Sequence, residues 1–239
     1  MLKFVIPLSF ILLVVAFWNR NDLDGNLPLL PQLNQEPIQT AASAEPFDTA
    51  VNDTHYHIEP LYDYELYGLV VSYNLHDGNY GLHKRWGDHL NVADICVVWQ
   101  DTAFSKHLNK LDFWNGQFTC HVSTSSDAAW ASFKGNQLAN NHLITGDEFM
   151  RKQISKVGIG DQIKIRGWLA SYSSENGGKR GTSTTREDTG NGACETIYVN
   201  DFQILESYSS GWRKLMYLAL IIFISSLVLY FRQPFRTPH

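Results

Sequence analysis

Two uncharged apolar runs bracket the chain, with a polar stretch and a block of short alternating runs between them. Residues 4–19 (FVIPLSFILLVVAFWN) and 215–231 (LMYLALIIFISSLVLYF) contain no Asp, Glu, Lys or Arg. Seventeen residues rise about 26 Å as a helix, close to the hydrocarbon thickness of a bilayer. The C-terminal run offers only Ser225 and Ser226 as polar positions, so it lacks the polar face of a soluble helix. Trp212, Tyr217 and Tyr230 stand where an aromatic belt belongs, with Arg213, Lys214 and Arg232 at the flanks. The pattern predicts a transmembrane helix over 213–231 and a short tail over 232–239. Residues 1–20 read as an N-terminal membrane anchor or an uncleaved signal-like segment. A cleavable signal needs small residues just after the apolar run, but Phe17-Trp18-Asn19-Arg20 follows, and Ala41-Ala42-Ser43-Ala44 comes too late.

Residues 21–60 include Pro28, Pro31, Pro37, Pro46 and Pro60 among many Asn and Gln, and show no apolar period between about 32 and 55. This composition predicts an extended, semi-stiff linker. From 61 to 207 the dominant period is that of strands. Strands are expected over 64–73 (YELYGLVVSY, with a bend or bulge at Gly68), 92–99 (VADICVVW), 117–122 (QFTCHV), 162–170 (QIKIRGWLA) and 196–205 (TIYVNDFQIL, with a slip at Asn200). Thr145-Gly146-Asp147-Glu148 fits a capping box with Thr145 as N-cap. Phe149, Met150, Ile154 and Val157 follow at helical spacing, and Gly158 and Gly160 stop the run.

Five strands with one helix between the third and fourth is the order of an OB-fold barrel. Gly160-Asp161-Gln162-Ile163-Lys164-Ile165-Arg166-Gly167-Trp168-Leu169 and the run Glu195 to Leu205 (ETIYVNDFQIL) resemble the last two strands of single-stranded-DNA-binding-type OB modules. The resemblance covers residues 160–205. It implies a mainly β fold, a five-stranded OB-like barrel with one helix between strands 3 and 4 and with the loop between the last two strands beside the ligand-binding face; the apolar runs add two flanking transmembrane helices.

Charge narrows the partners. Residues 21–212 carry 24 acidic and 13 basic residues, a net charge of −11, which disfavours non-specific binding to a phosphate backbone. The long polar loop over 171–193 is the local exception. It holds Lys179, Arg180 and Arg186 among Thr182, Ser183, other hydroxyls and five glycines, a set suited to holding a phosphate or carboxylate. A solvated hairpin without ligand accounts for the same composition. Nine histidines are present, but only His55 and His57 are close in sequence, and no H-E-x-x-H or C-x-x-C spacing occurs. No metal site and no cofactor is therefore expected. Asn140-Asn141-His142 offers an imidazole that Asp147 would orient, although a turn built on asparagine explains the same letters. Cys96 and Cys120 lie on sequential predicted strands and are the candidate disulfide in an oxidising compartment; buried free thiols are the alternative. The aromatic residues, Trp86, Trp114, Trp130, Trp168 and Tyr172 among them, are assigned to core packing.

The expected protein is a membrane-anchored binding or assembly module of a bacterial inner membrane. It has two spans, a periplasmic domain and a protein partner or small anionic ligand, and is a binder rather than an enzyme. The alternative is a hydrolase using His142 with Asp147 or Asp188, and the third reading is a tethered single-strand nucleic-acid binder.

Overall fold

The computed structural model describes residues 2–76, 78, 81–116, 118–185 and 194–233, apart from the side chains of 81–83. They form two units, Met1–Asp24 with Ser209–His239, and Gly25–Tyr208. In the second unit the strands are β1 (Ile38–Ala41), β2 (Phe47–Val51), β3 (Thr54–Leu75), β4 (Asn91–Val98), β5 (Asp112–Asn115), β6 (Cys120–Ser123), β7 (Leu138–Ile144), β8 (Gln162–Ser174), β9 (Lys179–Arg180) and β10 (Glu195–Glu206). The helices of the whole chain are α1 (Leu2–Trp18), α2 (Gly81–Trp86), α3 (Gln100–Ala103), α4 (Asp127–Ser132), α5 (Glu148–Ile154) and α6 (Gly211–Phe231).

Five strands close a ring. β3 pairs with β4, β4 with β7, β7 with β10, β10 with β8, and β8 returns to β3. Every pairing is antiparallel except β7 with β10, which is parallel. β3 is long enough for two partners: Tyr56 to Leu69 pair with β8, and Leu69 to Leu75 pair with β4. The ring is filled by fully buried Leu66, Val70, Ile95, Val97, Leu143, Ile163, Ile165 and Ile197. Met150 and Ile154, one turn apart on α5, join this cluster. Burial of branched aliphatic side chains of this kind is the main favourable term in such a fold.

Close packing explains two glycines. A Cβ at Gly68 would press on the Val97 side chain, and one at Gly167 would collide with the Tyr198 carbonyl. Of the bend or bulge expected at Gly68, no bulge falls there; the β3–β4 register shift lies between Val70 and Ser72. The slip expected at Asn200 is real: the β8–β10 register shifts between Val199 and Asp201.

The structure departs from the sequence expectation in three places. First, the third strand of the ring is β7; residues 120–123 form a separate two-stranded hairpin with β5. Second, residues 21–60 hold β1, β2 and the start of β3 where a linker was expected. Asn52 and Asp53, with φ of 50° and 60°, make the two-residue turn joining β2 to β3, the left-handed pair that a tight hairpin favours. Leu33 is fully buried, and the Pro28 carbonyl accepts from Gln162 Nε2 at 2.8 Å, so this segment packs on the ring. Third, the cap of α5 is Asp147, which accepts from the backbone N–H of Phe149 and Met150. Thr145 instead accepts from the Asp147 N–H at 3.1 Å, and Glu148 lies 3.4 Å from Lys152.

In the first unit α1 and α6 pair antiparallel. Phe10 and Phe223 rings meet at 5.6 Å, and the Arg20 carbonyl accepts from Ser210 Oγ and Arg213 Nε. Ser9, Ala16, Ala219 and Ser226 are the buried residues of these helices, the small side chains that let apolar helices approach. α6 is long and apolar enough to cross a membrane; α1 is a shorter apolar helix.

Ile165→Ala should lower the unfolding free energy of the full chain by about 3 kcal/mol, as for a buried aliphatic truncation. Gly167→Ala should cost at least as much, because the strain falls on backbone. Chemical denaturation in detergent micelles measures both. A Gly167→Ala variant as stable as the parent would refute the close approach of β8 and β10.

Candidate ligand-binding site

Strand alternation sorts β4 and β7 into two faces. Ile95, Val97, Ala139 and Leu143 point into the ring, while Asp94, Cys96, Asn140 and His142 share the opposite face, with Asp94 facing His142 and Cys96 facing Asn140 in register. That outer face is polar yet buried, so it needs both a cover and partners.

The β5–β6 hairpin is the cover. Asn115 donates from its backbone N–H to Ser72 Oγ (3.0 Å) and from Nδ2 to the Asp94 carbonyl (3.3 Å) and Asn140 Oδ1 (3.1 Å). Cys120 on β6 is joined to Cys96 on β4 by a disulfide, with Cα atoms 5.9 Å apart. Beneath the hairpin, Asp94 takes two imidazoles: His142 Nδ1 lies 2.6 Å from Oδ1, and His76 Nε2 lies 3.2 Å from Oδ2. Burial alone would raise the Asp94 pKa. The hydrogen bonds from His142 and then His76, with their charges, outweigh it and hold the carboxyl well below the usual carboxylate range.

Phe118, on the loop of this hairpin, has φ of 61°, a left-handed conformation that costs a bulky residue energy and often marks a functional position. Its ring meets the His142 ring at 5.9 Å, stacks on Trp86 at 5.6 Å and lies 4.4 Å beneath the Arg180 guanidinium carbon. Its carbonyl accepts from Cys194 Sγ at 2.8 Å. Burial pushes the Cys194 thiol up to about 11, against the hydrogen bond from Asn140, so this sulfur stays protonated near neutral pH.

Beside this assembly opens a cleft of about 360 Å³, lined by Tyr56, Trp86, Asp88, Tyr172, Ser174, Gly178, Lys179 and Arg180. Its floor is committed. Tyr172 donates to Asp88 Oδ2 (2.9 Å), while Tyr56 donates to the Gly87 carbonyl (2.9 Å) and accepts from the His89 N–H (2.8 Å). Burial raises both phenol pKa values, and for Tyr172 the Asp88 charge adds to it, so both hydroxyls remain donors. The rim is cationic, and Arg180 Nη1 is buried with no acceptor among the described residues.

The expected site residues divide. Lys179 and Arg180 lie on β9, paired with β8, and line the cleft. Thr182 and Ser183 serve the loop itself: Thr182 Oγ1 accepts from the Thr196 N–H, and Ser183 Oγ donates to the Thr185 carbonyl. Arg186 and Asp188 lie outside the described residues. The carboxylate that orients His142 is Asp94; Asp147 is occupied as the helix cap, too short a side chain to do both. His57 pairs with Asp48 at 2.7 Å. Among the described residues no group of three or more His, Cys, Asp or Glu side chains is arranged to hold a metal ion. Trp86, Trp114 and Trp130, assigned to the core from sequence, are 48%, 46% and 56% exposed. A Trp flanked by basic residues in Lys84-Arg85-Trp86 was the available signal for the cleft wall.

Asp94→Asn should cost about 3 kcal/mol, because the buried carboxylate shared by His142 and His76 becomes an amide with no charge and a single acceptor oxygen. Since folding depresses the Asp94 pKa, its contribution is complete above its ordinary value of 3.8 and is lost as pH falls below that. The stability gap between parent and variant should therefore shrink between about pH 5 and about pH 2 in denaturation midpoints; a gap that stays constant would contradict the assignment. No family model matches the chain, and no curated protein or solved structure matches it.

Proposed function

We propose that the chain is a membrane-anchored binding module whose β-rich unit holds a small anionic ligand in the cleft of Lys179 and Arg180. The observation that carries this reading is the Arg180 side chain, which lines a ligand-sized cleft and whose buried Nη1 has no acceptor among the described residues. A guanidinium N–H left without an acceptor costs free energy that a bound carboxylate or phosphate recovers. A recessed cation favours a small ligand over the flat face of a partner protein. The strand order β3-β4-β7-β10-β8, returning to β3, with α5 between β7 and β8, supports an OB-like barrel, and in that topology the cleft lies between loops of the binding face.

The apolar helix α6 supports membrane anchoring, and α1 paired beside it supports a second membrane-embedded segment. The Cys96–Cys120 disulfide supports an oxidising compartment, hence a periplasmic unit on a bacterial inner membrane. The hydrolase reading has its imidazole–carboxylate pair in His142 and Asp94, but that pair is buried beneath Phe118, which favours a structural role. The single-strand nucleic-acid reading has to overcome the net charge of −11 over residues 21–212.

Two measurements test this reading. In the full chain in detergent, phosphate or citrate should raise the unfolding midpoint by mass action, and Arg180→Ala should abolish the shift while the unliganded variant keeps a single cooperative unfolding transition. Equal shifts in parent and variant would remove Arg180 from the site. In chain taken from native membranes with thiols blocked at lysis, mass measurement should find one free thiol, Cys194; three would place the unit in a reducing compartment.

A further inference from the structure

The aromatic wall of the cleft has no part in holding a bare anion, and it points to what else the ligand carries. One face of the Trp86 indole is taken by the Phe118 ring at an interplanar angle of 20°, yet Trp86 remains 48% exposed and lines the cleft. The Arg180 guanidinium rests on the same Phe118 ring. One phenyl ring thus fixes both a flat apolar surface and a cation, and fixes them relative to each other. Such preorganisation strengthens binding by lowering the ordering cost.

The cleft carries charge of both signs. Asp88, buried in the floor, is held by Tyr172 and by the Asn91 N–H at 3.4 Å, so its carboxylate is already committed. Lys179 and Arg180 on the rim attract an anion. Lys84 and Arg85 stand on α2 immediately before Trp86. Four of the 13 basic residues of 21–212 thus sit on the two short segments that bound the cleft. The volume of about 360 Å³ lies at the small end of ligand pockets, roughly 300–1,000 Å³, which suits a ring with one charged group.

We infer that the cleft takes a planar aromatic anion, its ring laid on Trp86 and its phosphate or carboxylate on Arg180 and Lys179. This rests on the reading of the cleft as an anion site and adds the ring.

The test is calorimetric titration of the full chain in detergent micelles with phenyl phosphate, phenylacetate, inorganic phosphate and phenol, and with an oligothymidine of about eight nucleotides. An aromatic anion should bind at roughly millimolar dissociation constant or tighter. Phenyl phosphate should bind about 10-fold tighter than inorganic phosphate, and phenol should give no measurable heat of binding. Trp86→Ala should erase the 10-fold advantage and leave phosphate affinity unchanged, Trp86→Phe should retain most of it, and Arg180→Ala should abolish binding of all the anions. An unchanged unfolding midpoint in each variant shows that the fold is intact. If phenyl phosphate and inorganic phosphate bind equally and Arg180→Ala removes both, the aromatic class is wrong and the anion site stands. If neither aromatic anion binds up to about 10 mM, or if Arg180→Ala changes nothing, the inference fails together with the reading beneath it. Oligothymidine bound more tightly than phenyl phosphate, with affinity falling steeply with salt, would overturn the small-ligand class in favour of a nucleic-acid strand.

Discussion

The double pairing of β3 is the constraint from which the β-rich unit follows. Its first two thirds run along β8 and its last seven residues along β4, so one strand supplies both neighbours needed to bring the sheet round on itself. Closure removes the exposed edges that a five-stranded sheet would otherwise present. It also commits alternate residues irrevocably, because a strand in a closed ring cannot slip by one position without moving its whole apolar set outward. At Gly167 the backbones of β8 and β10 come too close for any side chain, and at Gly68 the Val97 side chain fills the space.

Commitment of alternate residues creates the second problem the fold has to solve. With Ile95, Val97 and Leu143 inside, Asp94, Cys96, Asn140 and His142 are forced onto the other face of β4 and β7. The β5–β6 hairpin answers this, tied down by the disulfide and by Asn115, and the charge it buries is matched by two imidazoles. The cover then has consequences of its own. It brings Phe118 over His142, and Phe118 in turn seats Trp86 and Arg180. The cleft is therefore a product of how the polar face of the ring is covered, one layer removed from the core.

This layering explains what the sequence disclosed. Residues 64–73, 92–99, 162–170 and 196–205 were legible because each places apolar side chains at alternate positions on a buried face. β7 was not, because Asn140, Asn141 and His142 carry the letters of a turn. Their partners lie far off along the chain, Ile95 for Asn141 at a separation of 46 residues and Asp94 for His142 at 48, and no local window contains them. The Asn52-Asp53 hairpin was within reach of local reasoning, since Phe47 to Val51 and Thr54 to Ile58 alternate around it, but a proline-rich context masked it. In the site, Lys179 and Arg180 stood out as cations in an acidic unit. Tyr172 did not, because an aromatic residue in a core and one in a cleft wall are the same letter; for Trp86 the preceding Lys84 and Arg85 were the one local cue.

The two apolar helices, α1 and α6, bury small side chains only. Ser9 and Ser226, polar and buried, each donate to a carbonyl of their own helix, Val5 and Ile222, which satisfies the hydroxyl without a partner. Their other buried residues are alanines, and the pairing rests on close approach and on Phe10 against Phe223. With its two buried hydroxyls satisfied locally, the helix pair suits an apolar solvent. On the reading proposed above, recognition falls to the unit inserted between the helices, and within it to the cleft lined by Trp86 and Arg180, where Arg180 Nη1 is buried with no acceptor among the described residues.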